Sequence, residues 1–101
     1  MSGNGEHMQL QDKIALVTGA SRGIGKAIAV GLAKAGATVV CTSTRAGGCD
    51  ATIAAGAGLP GKLSALVCDV GDKTQVEQLA KSVLETHGRL DILVNNAGIT
   101  K

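Results

Sequence analysis

The sequence contains no phenylalanine, tryptophan or tyrosine, although 45% of its 101 residues are hydrophobic. These absences exclude a catalytic tyrosine within the chain, an aromatic platform for stacking nucleic-acid bases and an aromatic cage for a cation. A chain of 101 residues forms one small domain. Its core must therefore be built from aliphatic side chains, with close packing at some of the 15 glycines.

Charge and cysteine are also sparse. The 10 Lys and Arg against 8 Asp and Glu give a net charge of +2 with no basic run, so nucleic acid is not an expected partner. Cys41, Cys49 and Cys68 form no CxxC pair, which argues against a disulfide framework and a zinc site. A reducing setting is expected, either the cytoplasm or an organelle stroma or matrix if a targeting segment was removed. No apolar run approaches the roughly 20 residues of a membrane span, so no membrane partner is expected.

Residues 1–8 read MSGNGEHM, a polar, glycine-rich stretch that ends at a second methionine. They are typical of a tag-like or disordered extension, and no function is expected for His7. The predicted domain occupies residues 9–101.

From residue 14 onwards, short apolar runs alternate with longer amphipathic ones. Strands are predicted at 14–17, 38–41, 63–68 and 90–94, and helices at 23–35, within 45–61 and at 73–87. The first helix is expected to bury an inner face of Ile24, Ile28, Leu32 and Ala35. The last is expected to begin at a capping box of Asp72 and Gln75. This alternation predicts an α/β fold with a partial Rossmann-type parallel sheet and flanking helices. Right-handed crossovers give the strand order 3-2-1-4, with the first two helices on one face and the third on the other.

The strongest chemical signal is the segment TGASRGIG at 18–25, between a predicted strand and a predicted helix. Glycines there let the backbone approach a ligand, and the free N–H groups of a helix start attract phosphate. Alanines at positions 20 and 27 exclude a P-loop, and Ile28 excludes the GxGxxG fingerprint. The remaining spacing, TGxxxGxG, favours a pyrophosphate site; the alternative is a tight turn that only packs the helix closely.

That spacing, with Asp69-Val70 after the third strand and Asn95-Asn96-Ala97-Gly98 after the fourth, resembles the short-chain dehydrogenase/reductase family. The resemblance covers residues 13–101. Within the family, GASRGIG and NNAGIT are most similar to the 3-oxoacyl-[acyl-carrier-protein] reductases. The resemblance therefore implies an NADPH-dependent oxidoreductase of fatty acid biosynthesis that reduces a 3-oxoacyl thioester to the 3-hydroxyacyl form.

The resemblance also implies the cofactor site. Where an acidic residue at the end of the second strand would select NAD, this chain has Ser43, so NADP is favoured, with Arg22 and Arg45 as partners of the 2′-phosphate. Asp69 would accept a hydrogen bond from the adenine amino group. The alternative for Asp69 is a simple strand-end polar residue, and the alternative for Arg45 is a solvated loop charge. The implied cofactor-binding residues are Gly19, Ala20, Ser21, Arg22, Gly23, Ile24, Gly25, Ser43, Thr44, Arg45, Asp69, Val70, Asn96, Ala97 and Gly98.

Reductases of this family use a Ser, a Tyr and a Lys that lies four residues after the Tyr, and all three lie beyond the NNAG segment. This chain contains no Tyr. No catalytic or metal-binding residue is therefore assigned. The expected unit is the cofactor-binding half of a longer reductase, truncated before the catalytic segment and inactive alone. The complete parent is expected to be a homo-oligomer acting on an acyl-carrier-protein thioester. The alternative is a non-catalytic nucleotide-binding or interaction fragment.

Overall fold

A computed structural model describes residues 9–96. The elements are β1 (Ile14–Val17), α1 (Gly23–Lys34), β2 (Thr38–Ser43), α2 (Asp50–Ala55), β3 (Lys62–Val67), α3 (Lys73–His87) and β4 (Ile92–Val94). The stretch at 45–61 holds one short helix, α2. β2 runs two residues further than predicted, and β4 is two residues shorter. Leu90, outside β4, packs against the buried cluster that includes Leu79 and Val83 of α3.

The four strands form one parallel sheet in the order β3-β2-β1-β4, which confirms the predicted Rossmann-type topology. All strands point the same way, so their carboxyl ends meet at one edge. At this edge lie the glycine segment after β1, the turn after β2 and Asn96 after β4. In open parallel sheets ligands bind at that edge.

α1 lies on one face of the sheet and packs through small residues. Gly25, Ala29 and Ala33 are buried, whereas Ile28 is half-buried. The expectation that Ile24 belongs to this inner face is wrong, because its side chain is 68% exposed. Small side chains let the helix approach β1 and β2 closely, and this rotation of the helix leaves Ile24 beside the glycine segment.

α3 covers the other face. Leu79 and Val83 pack with Ile14, Leu16 and Val40 in a second core. The helix begins at Asp72, whose carboxylate accepts hydrogen bonds from the N–H groups of Thr74 and Gln75. The predicted capping box forms only in part, because the side-chain oxygen Oε1 of Gln75 accepts from the backbone N–H of Asp69, at 2.8 Å, instead of from the backbone N–H of Asp72.

At the amino ends of the strands, Asp91 joins β4 to β1. Its N–H donates to the carbonyl of Ile14, and its carboxylate accepts from the Ile14 N–H and from Arg89 Nε, each at 2.8 Å. These bonds, that of Ile14 foremost, lower the pKa of the Asp91 carboxyl. Within residues 9–96, no helix is both long enough and apolar enough to cross a membrane.

Candidate functional site

An open cleft of about 850 Å³ lies at the carboxyl edge of the sheet. A cleft of this size is within the range of small-molecule and cofactor sites. It is lined by Gly19, Ser21, Arg22, Gly23, Ile24, Thr42, Ser43, Thr44, Arg45, Gly48, Cys68, Val70 and Asn96. The structure thus brings together most of the predicted residues, which come from four separate segments of the sequence.

The glycine segment has the backbone geometry that its spacing predicts. Gly19 and Gly23 have φ angles of 64° and 62°, in the left-handed region that side chains other than glycine rarely adopt. Gly25 is buried beneath the segment, where a Cβ atom would overlap the carbonyl of Gly19 and lie 2.7 Å from Asn96 Nδ2. Glycine at position 25 is therefore required for α1 to start directly under the loop.

Hydrogen bonds from β2 and from Asn96, which follows β4, fix the peptide group between Gly19 and Ala20. The Ala20 N–H donates to the carbonyl of Thr42 at 2.9 Å, and the Gly19 carbonyl accepts from Asn96 Nδ2 at 3.1 Å. Asn96 Oδ1 is buried and has no hydrogen-bond partner among the described residues. A buried acceptor without a partner costs free energy, so this oxygen fits a ligand that brings a hydroxyl or amide donor into the cleft.

The end of β2 supplies the cationic part of the cleft. Thr44 and Arg45 follow Ser43 and are exposed, with Arg22 also lining the cleft. The Ser43 hydroxyl donates to the carbonyl of Arg45 at 2.8 Å and so closes the turn that carries the guanidinium. No Asp or Glu lines the cleft within the described part of the chain.

Three predicted residues lie near the cleft without lining it. Ala20 is fully buried, and Gly25 lies under the loop. Asp69 is exposed, and its carboxylate accepts from the N–H of Gly71 at 2.9 Å. Ala97 and Gly98 lie outside the described residues. The binding roles of all fifteen residues named above remain predictions.

Other contributors were missed by sequence reasoning. Thr42, Gly48 and Cys68 line the cleft. Thr52 and Gln75 hydrogen-bond the backbone of Ala20 and Asp69, which lie beside it. The lining residues flank the motifs by one or a few positions, so the ends of β2 and β3 could have indicated them. Thr52 lies in the Ala- and Gly-rich stretch, where no sequence pattern distinguishes it.

The thiols near the cleft are unsuited to nucleophilic or redox chemistry. All three cysteines are free and buried. Burial raises the pKa of Cys41 to about 12, with the neighbouring Cys49 adding to the rise. Burial also raises the pKa of Cys68, as do the carboxylates of Asp69 and Asp72. Thiolates, the reactive form, are therefore scarce at neutral pH. No cluster of three or more possible metal ligands occurs in residues 9–96.

The parallel sheet, the glycine turn into α1 and the cleft at the carboxyl edge define a Rossmann-type α/β protein. Residues 13–101 match the family model described as short chain dehydrogenase, and the chain belongs to that family.

Its relatives include enzymes of more than one kind. A 3-oxoacyl-[acyl-carrier-protein] reductase FabG from Vibrio harveyi is 51% identical over 94 residues, which are 93% of this chain and 37% of the relative. A 3beta-hydroxysteroid dehydrogenase from Mediterraneibacter gnavus is 44% identical over 91 residues, 90% of this chain and 33% of the relative. The chain thus spans well under half the length of these relatives. The resemblance to the 3-oxoacyl reductases is confirmed by several relatives of that name at 42% to 51% identity.

Solved structures support the same family. A metagenomic short-chain oxidoreductase in complex with NADP has a TM-score of 0.84 and 41% sequence identity, over 89% of this chain and 41% of that one.

Proposed function

We propose that residues 9–101 form the NADP(H)-binding part of an oxidoreductase, and that the whole protein reduces a 3-oxoacyl-[acyl-carrier-protein] thioester to the 3-hydroxyacyl form. The observation that carries the cofactor proposal is the end of β2, where Thr44 and Arg45 line the cleft with Arg22 and no carboxylate joins them in the described residues. A 2′-phosphate would be attracted there, whereas the 2′-hydroxyl of NAD would find no carboxylate acceptor.

The cleft fits a dinucleotide in other respects. The glycine segment offers backbone N–H groups to a pyrophosphate at the start of α1, where the helix dipole favours negative charge. Asn96 Oδ1 offers a buried acceptor that lacks a partner among the described residues. When bound, NADPH supplies the hydride for reduction, and the residues of this chain would bind and orient it.

The 3-oxoacyl thioester is proposed from the relatives. The segments GASRGIG and NNAGIT of this chain and the identity to reductases named for that substrate support it. Because the chain corresponds to well under half of those relatives, the acyl substrate and the oligomer belong to the proposal for the whole protein.

Titration of the chain with NADPH and NADH, followed by calorimetry, tests the cofactor proposal. NADPH is expected to bind more tightly. Arg45→Ala should weaken NADPH binding by about tenfold, because a charge-assisted bond to phosphate is lost, and leave NADH binding unchanged. Lys34→Ala, at the end of α1 and outside the cleft lining, removes the same charge as a control. Equal affinities for NADPH and NADH would contradict the proposal.

A second candidate function is nucleotide binding without turnover, which the absence of tyrosine from all 101 residues favours. An assay of NADPH oxidation with a 3-oxoacyl thioester, run on this chain and on the whole protein, separates the two candidates. Binding without oxidation by this chain is expected under both, whereas oxidation by the whole protein supports the first candidate and its absence supports the second. Turnover by the 101-residue chain would contradict both the binding-only function and the expected need for a tyrosine.

A further inference from the structure

A buried threonine on α2 is hydrogen-bonded to the glycine segment. Thr52 is 0% exposed, and its hydroxyl donates to the carbonyl of Ala20 at 2.6 Å. Threonine hydroxyls in helices commonly bond back to the carbonyl one turn earlier. Here the bond crosses from one element to another, over 32 residues of sequence.

This bond fixes the direction of the peptide group between Ala20 and Ser21. The described residues contain no cis peptide bond, and in a planar trans peptide the C=O and N–H groups point in opposite directions. With the Ala20 carbonyl held toward α2, the N–H of Ser21 must point away from α2. Ser21 lines the cleft, and its N–H has no hydrogen-bond partner among residues 9–96.

We infer that Thr52 is a positioning residue of the dinucleotide site: through the Ala20 carbonyl it aims the Ser21 N–H at the pyrophosphate. This inference rests on the proposed function. The preceding peptide is already fixed by Thr42 and Asn96, so Thr52 supplies the remaining constraint on the turn. Without its hydroxyl the buried Ala20 carbonyl has no partner, and the peptide gains by rotating toward water.

The pyrophosphate is common to NADP and NAD, so loss of this constraint has a recognisable effect. Thr52→Val keeps the shape of the side chain and removes the hydroxyl. We expect it to weaken binding of NADPH and NADH by the same factor, about tenfold. Arg45→Ala, in contrast, should affect NADPH alone. Thr52→Ser restores the hydroxyl without the methyl group and should bind both cofactors within about twofold of the parent chain.

The matched control is Thr86→Val, which removes a hydroxyl from an exposed position near the end of α3. It should leave both affinities unchanged. If Thr52→Val binds both cofactors like the parent, or if Thr52→Ser binds as weakly as Thr52→Val, the inference is overturned while the proposed function stands.

A measurement without ligand tests the role of Thr52 separately from the proposed function. Amide NMR spectra of the ligand-free chain should show displaced Ser21 and Arg22 resonances in Thr52→Val and unchanged ones in Thr86→Val. If the parent chain binds neither cofactor, the proposed function fails, and these spectra decide whether Thr52 orients the turn. An unchanged Ser21 resonance in Thr52→Val would overturn that role as well.

Discussion

At the scale of single residues, Asp91 adds hydrogen bonds between β1 and β4 just before their regular backbone pairing begins. Its backbone N–H and its carboxylate both bond Ile14, and the same oxygen accepts from Arg89. Arg89 in turn donates to the carbonyl of Asp12 through Nη2 at 2.8 Å. The amino ends of β1 and β4 are therefore held together through a charged group, which makes their pairing sensitive to pH.

We expect stability to fall at acidic pH partly through Asp91. Because the folded-state pKa of this carboxyl is lowered, its contribution is fully present above the unfolded value of about 3.9 and is lost as pH falls through the folded value. Asp91→Asn should be less stable than the parent at neutral pH, and the difference should shrink below about pH 3.9. Urea unfolding across pH 2–7 measures this.

Glu85→Gln serves as the control, since it removes the same charge from an exposed position on α3. A difference between Asp91→Asn and the parent that stays constant across this pH range would show that the carboxylate bonds do not link β1 to β4 in solution.

At the scale of elements, α3 depends on its first turn. Asp72 accepts hydrogen bonds from two N–H groups at the helix start, and Leu79 and Val83 of the same helix close the second core. Loss of the cap is therefore expected to weaken the packing of α3 on the second core as well.

Asp72→Ala is expected to lower the free energy of unfolding by about 1 kcal/mol, the usual cost of removing an N-cap side chain. Asp72→Asn keeps an acceptor oxygen and should cost much less. Circular dichroism during urea unfolding compares the three chains. If Asn were as destabilising as Ala, charge and not capping would be the contribution of Asp72.

The elements also show where sequence reasoning succeeds. The strands, α3 and the strand order followed from apolar periodicity and right-handed crossovers, because these depend on local pattern and general handedness. The burial of Ile24 was predicted wrongly, since periodicity marks an apolar stripe but not how closely small residues such as Ala29 let a helix approach. The glycine loop and the end of β2 could be located by spacing. The bond from Thr52 to Ala20 could not, because Thr52 lies in a segment without a recognisable pattern.

At the scale of the whole molecule, the two outer strands differ in how they are protected. β3 begins with the exposed Lys62, whereas β4 consists of Ile92, Leu93 and Val94, without a charge. Leu93 is 61% exposed, and among the described strands β4 pairs with β1 alone. Uncharged apolar edges favour pairing between chains.

We therefore expect the 101-residue chain to self-associate through β4. Leu93→Lys should reduce the associated fraction in sedimentation velocity, while the free energy of unfolding changes by only about 0.5 kcal/mol because the site is largely exposed. Val67→Lys makes the same change on β3, at a side chain that is 55% exposed. It should leave association as it is; an equal reduction by both variants would point to general solubility and not to the β4 edge.

The bond between Asn96 and Gly19 has a consequence for the order in which the molecule assembles. It spans 77 residues, as does the bond between Thr18 and Asn95. Contacts so distant in sequence carry a large loop-closure entropy cost, so we expect them to form late. Capping of α3 by Asp72 is local and can form early. During synthesis from the amino terminus, the glycine loop is made among the first segments but gains its final geometry only after Asn96 has been added. Cofactor binding by the nascent chain is thus expected only once β4 and Asn96 have been made, although both are far from the loop in sequence.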